Sequence, residues 1–103
     1  MKTTKTKIKI EVTPRDIKKG ECNDPYNCAI ALALKRSLRK EHISFRNVFV
    51  ESGHATVHPR RPAGDNLWFP LPKRARNFIF EFDDLGDFGD RSELKPFSFE
   101  VRV

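Results

Sequence analysis

The sequence predicts an α+β domain: a single, largely antiparallel sheet of four to five strands with two helices packed on one face. Three observations predict it. Alternating apolar and polar residues stand near both ends of the chain, at Ile8/Ile10/Val12 and at Phe97/Phe99/Val101/Val103. An Ala/Leu-rich run, Cys28–Leu34, has the composition of a buried helix. The length, 103 residues with nine Phe, suits one folded domain over 1–103 and is too aromatic for a disordered chain.

Each element follows from local chemistry. Lys7–Val12 predicts a half-buried strand with Ile8, Ile10 and Val12 inward and Lys7, Lys9 and Glu11 outward. A short helix opens at Thr13-Pro14-Arg15-Asp16. Thr13 suits the N-cap, Pro14 the first helical position, and Asp16 the acid of a capping box. Gly20 is expected to close it as a C′ residue. The main helix is expected to start near Asp24-Pro25 or Asn27 and to run to about Leu38, its last turn holding the cations Lys35, Arg36, Arg39 and Lys40, which complement its dipole.

Ile43 and Phe45 share one parity and Val48 and Val50 the other, so a strand over 43–50 requires a bulge near Arg46-Asn47. Ser52-Gly53-His54 reads as a turn, Ala55–Val57 as a short returning strand, and Pro59–Asn66 as a basic, proline-containing loop. Leu67–Leu71 alternates again, and Pro70 confines it to an edge. Residues 72–85 fit two patterns. Ala75, Phe78, Ile79, Phe82 and Leu85 have helical spacing, whereas Phe78, Phe80 and Phe82 alternate as in a strand. Pro72 at the start and Gly86 at the end favour the helix. Asp83–Ser92 then reads as an acidic, glycine-containing loop, and Phe97–Val103 as the clearest strand. The two terminal strands are expected to be neighbours, with Lys7 and Lys9 meeting Glu100 and Arg102.

Charge is divided along the chain. Residues 1–80 carry 17 Lys/Arg against 7 Asp/Glu, whereas residues 81–93 carry Glu81, Asp83, Asp84, Asp87, Asp90 and Glu93 against Arg91 alone. A basic body with one acidic segment makes an electrostatic dipole that orients encounters with charged partners, which points to a binding protein. The longest apolar run, Cys28–Leu34, is seven residues, against about 20 for a membrane span, and Met1–Lys9 lacks the apolar stretch of a secretory signal. The expectation is a cytoplasmic protein with Cys22 and Cys28 reduced and no contact with membranes.

No catalytic, cofactor or metal site is expected, and the chain reads as a non-enzyme. Five residues separate Cys22 from Cys28, wider than zinc-site cysteines usually stand. His54 and His58, four apart in an extended segment, are roughly 13 Å apart. Cys28 near a helix N-terminus would need a base, and His42 lies beyond the far end of that helix. The acidic segment lacks calcium-loop spacing, and Gly86 and Gly89 lack the Lys-Ser/Thr of a phosphate cradle.

Two binding surfaces stand out instead. One is acidic: Asp83, Asp84, Asp87 and Asp90. The other is basic and aromatic: Arg60, Arg61, Trp68, Lys73, Arg74 and Arg76. Trp68 has the parity opposite to Leu67, Phe69 and Leu71, so it is expected on the surface, where single-stranded nucleic acid stacks. Tyr26, just before the main helix, is a second such aromatic. Further basic clusters lie at Lys2/Lys5/Lys7/Lys9 and at Lys35/Arg36/Arg39/Lys40 with Arg46.

Val12-Thr-Pro-Arg-Asp-Ile-Lys-Lys-Gly20, the Cys28-Ala-Ile-Ala-Leu-Ala-Leu34 run, Leu71-Pro72, Phe78-Ile-Phe-Glu-Phe-Asp83 and Pro96-Phe-Ser-Phe99 together resemble a group of small bacteriophage and mobile-element proteins of unassigned function. The likeness spans most of the chain, although Cys28-Ala29 stands where such proteins often have Cys-Pro and the acidic segment is longer. The resemblance implies a host-cell setting and, by analogy of origin, a protein that binds and inhibits or modulates a host macromolecular complex, nucleoprotein or CRISPR defence complexes included. On that reading the acidic residues meet a basic host surface. The alternative is a direct nucleic-acid-binding module using the basic clusters.

Overall fold

The local signals hold where they depend on neighbours three or four residues away. The structure is a computed structural model that describes residues 7–51, 53–58, 67–86 and 89–102. Among these, five strands and three α-helices follow the order β1 (Lys7–Val12), α1 (Pro14–Lys19), α2 (Ala29–Lys40), β2 (Asn47–Val50), β3 (His54–His58), β4 (Leu67–Pro70), α3 (Lys73–Leu85) and β5 (Phe97–Arg102). The class is α+β and every strand pairing is antiparallel, as the sequence predicts. The strands do not form one sheet, however. β1 pairs with β5, and β2, β3 and β4 form a separate three-stranded sheet in that order. α2 explains the division. It packs against both β1 and β2, and its residues Ala29, Ile30, Ala31, Ala33, Leu34 and Leu38 are fully enclosed. A helix apolar nearly all round needs apolar cover on more than one side, and the inner faces of two sheets supply it.

The terminal strands pair in the register Lys9↔Glu100 and Ile10↔Phe99, and Lys7 makes a 3.7 Å ion pair with Glu100 on the exposed face. At α1 the capping box forms: the Thr13 hydroxyl accepts from the Asp16 N–H, and the Asp16 carboxylate accepts from the Thr13 N–H at 2.9 Å. Gly20 follows α1 in extended backbone, φ −65°, not in the left-handed conformation expected of a C′ residue. Its lack of a side chain serves a close approach instead, because a Cβ there would lie 2.5 Å from the Ala29 backbone nitrogen.

α2 starts at Ala29, later than expected. The 24–27 segment is drawn out of the helix by other bonds: Asp24 accepts from the N–H groups of Tyr26 and Asn27, and Pro25 O accepts from Val50 N at 2.9 Å. At its far end His42 takes φ +61°, and Ile43 N donates to Leu38 O. Ile43 therefore ends α2 and β2 begins only at Asn47, so the parity change at 43–50 reflects two separate segments and not a bulge. β4 lies at a sheet edge, as Pro70 requires. α3 is the helix that the spacing favoured, burying Ala75, Phe78, Ile79 and Phe82, and Gly86 ends it at φ +70°. It extends through Asp83 and Asp84, so the acidic loop is shorter than expected, and a 3-10 turn, Arg91–Glu93, closes it. The Pro59–Asn66 loop lies outside the described residues, and no helix among those described is long and apolar enough to cross a membrane.

Candidate functional site

The three-stranded sheet turns Val48, Val50, Ala55, Val57 and Phe69 into the core. Strand alternation sends the intervening residues to the other face: Asn47 and Phe49 of β2, His54, Thr56 and His58 of β3, Trp68 and Pro70 of β4. Register places Phe49, Thr56 and Trp68 in one row across the sheet, so the two aromatic positions stand two strands apart, about 10 Å. Trp68 is 59% exposed. The His54 ring lies against it, centroids 5.3 Å apart, and Tyr26 covers Phe49 edge-on at 5.1 Å. The result is a face that carries four rings in two pairs, with the small side chain of Thr56 between them.

Charged groups near this face stand at its ends. Beyond one end of it the Arg46 N–H donates to His58 O, while the exposed Arg46 side chain has the parity of Val48 and Val50 and lines a hollow with Arg39, His42 and Phe45. At the other end His54 contacts Glu51 at 3.4 Å, and Asp24 lies beside Tyr26. Lys35 donates to Tyr26 O at 2.7 Å and brings one cation to that end.

The predicted site residues are not all brought together. Trp68 occupies the aromatic face. Arg60, Arg61 and Asp87 lie outside the described residues. Arg74 points elsewhere, its guanidinium 5.3 Å over the Phe97 ring, while Lys73 and Arg76 are exposed along α3. Of the acidic set, Asp83 accepts from Asn23 N at 2.9 Å, tying α3 to the segment before α2, and Asp90 accepts from Ser92 N at 2.9 Å within its own turn; Asp84 is exposed. Phe49 and His54 belong to the site but were missed. Their parity, opposite to Val48/Val50 and Ala55/Val57, was the available signal.

A second hollow of about 300 Å³ opens between the N-terminus of α2, β2 and α3, lined by Cys28, Ile30, Phe78 and Phe82 with Asp24 and Asp83 at its margin. Burial pushes the Cys28 thiol up, and the charges of Asp83 and Asp24 push it further, the opposite of what a nucleophile needs. Cys22 is held between Phe82 O, to which its thiol donates at 3.1 Å, and Arg91, which donates to its sulfur at 3.3 Å. Both cysteines are free thiols. No three His, Cys, Asp or Glu among the described residues are grouped to hold a metal ion. Compared with protein-family models, curated proteins and solved structures, the chain matches none.

Proposed function

We propose that this protein is a non-enzymatic binding module that holds single-stranded nucleic acid on the outer face of its three-stranded sheet. The observation that carries this reading is the aromatic face itself: Phe49 and Trp68 in one row across the sheet, with the Tyr26 ring against the first and the His54 ring against the second. Each ring offers a π surface to a base of any identity, and cations alongside neutralise the backbone. Excess positive charge, a formal +6, favours encounter with a polyanion. Contact with a host complex through the acidic residues has less support, because Asp83 and Asp90 are already committed to the chain's own backbone.

Trp68 is the sole tryptophan, so its fluorescence reads the site directly. Titration with single-stranded oligonucleotides at low salt should quench it, with affinity falling as salt rises. Trp68→Ala, followed with an end-labelled oligonucleotide, should weaken binding by about 1–3 kcal/mol. An unquenched Trp68 at low salt, or undiminished affinity in the variant, rules out this face as the site.

A further inference from the structure

α3 carries its charges in the wrong order for its own dipole. Lys73, Arg74 and Arg76 stand at its N-terminal end, where the helix is positive, and Asp83 and Asp84 at its C-terminal end, where it is negative. α1 does the reverse, with Asp16 in its first turn and Lys18 and Lys19 in its last, and α2 has no acid in its first turn but ends in Arg39 and Lys40. Arg74 is accounted for by Phe97 and Asp83 by Asn23. Arg76 and Asp84 are exposed, and among the described residues neither has an ion-pair partner. Midway between them, four residues from each, is Phe80, which at 76% is the most exposed large hydrophobic side chain among the described residues. Spacing of four places Arg76, Phe80 and Asp84 in one stripe along the helix. Eight residues of rise, about 12 Å, keep Arg76 from reaching Asp84 within one chain.

We propose that α3 pairs antiparallel with α3 of a second copy of this chain, about a twofold axis at Phe80. That stripe is self-complementary. A twofold at Phe80 brings the position four before it opposite the position four after it, so Arg76 of each copy meets Asp84 of the other, twice. Phe80 meets its counterpart at the axis and is flanked by a hollow lined by Leu85 and Leu94 with Glu81, Asp84 and Asp90 around them. The charge order also becomes favourable. Each Asp84, misplaced at the negative end of its own helix, comes to lie beside the positive end of the other, and each Arg76 does the converse. Charge complementarity selects a second copy over an unrelated partner, because one helix supplies both halves of the match. This goes beyond the nucleic-acid reading and uses a different surface.

Sedimentation equilibrium of the whole chain, free of nucleic acid and at low salt, tests it from about 1 µM to about 1 mM. The wild type should move from monomer to dimer across this range. Arg76→Asp and Asp84→Arg should each weaken dimerisation at least tenfold, and combining the two should restore it. Phe80→Ala should weaken it by a similar factor. Both charge changes improve the fit of α3 to its own dipole, so thermal melts of the dilute single variants should equal or exceed the wild type, which separates loss of pairing from loss of folding. A wild type monomeric throughout, a dimer that survives Arg76→Asp, or a double variant that stays as weak as the singles would each overturn the proposal.

Discussion

Asp16 and Arg36 meet in a two-pronged contact, with both guanidinium nitrogens 2.7 Å from the carboxylate oxygens. Asp16 is buried, and its carboxylate also accepts from Thr13 N; Arg36 reaches on to Glu11 O at 2.7 Å. One carboxylate thus ties the end of β1, the start of α1 and the outer side of α2.

This contact makes stability depend on acid. Burial pushes the Asp16 carboxyl up, but hydrogen bonds from Arg36 and Thr13 and the Arg36 charge outweigh burial and hold it below the ordinary 3.8. With the folded value below the unfolded one, the contribution is fully present above the unfolded value and is lost as pH falls through the folded one. Urea unfolding at a series of pH values should show stability dropping below about pH 4. Arg36→Ala removes three charge-assisted hydrogen bonds, two to Asp16 and one to Glu11 O, from a side chain that is about half exposed, and should cost about 2 kcal/mol near neutrality. It also leaves burial unopposed by the guanidinium, so its acid-side loss should be smaller than that of the wild type; an acid limb of unchanged size would speak against Asp16 as its source.

Gly20 and Gly53 should respond differently to one methyl group. At Gly20 a Cβ meets the Ala29 backbone, which cannot give way without moving the start of α2, whereas at Gly53 nothing lies within 4 Å. Gly20→Ala is expected to destabilise by about 1–3 kcal/mol, the range for overpacking. Gly53→Ala should stay within about 0.5 kcal/mol of wild type. Thermal melts of the two variants side by side decide this, and equal melting points would be the wrong result.

Arg91 should resist replacement by lysine. Its guanidinium donates to Ile17 O at 2.9 Å and Gly20 O at 2.7 Å while stacking 4.5 Å over the Phe82 ring. These carbonyls lie at the C-terminal end of α1, so a residue near the end of the chain holds the first helix in place. One guanidinium nitrogen makes both bonds and the other donates to the Cys22 sulfur, and an ammonium cannot span these partners and stack at once. Denaturant unfolding of Arg91→Lys should show a loss of about 2 kcal/mol, and a variant as stable as wild type would demote the contact to surface decoration.

The sequence by itself determined what short-range physics decides. The Thr13/Asp16 capping box, the alternation of Lys7–Val12 and Phe97–Arg102, the edge position imposed by Pro70 and the stop at Gly86 each follow from neighbours a few residues away or from one residue's backbone limits. The outward parity of Trp68 was legible for the same reason. Only the tertiary structure decided the rest. The split into two sheets depends on α2 being enclosed from both sides. The glycine at position 20 depends on Ala29, and the role of Arg91 on carbonyls more than 70 residues earlier. Tyr26, Phe49, His54 and Trp68 come from four separate segments, and only strand register and the Pro25–Val50 bond bring their rings onto one face. Long-range contacts of this kind leave no periodicity in the chain, because they are selected by the burial of the whole core and not by any local preference.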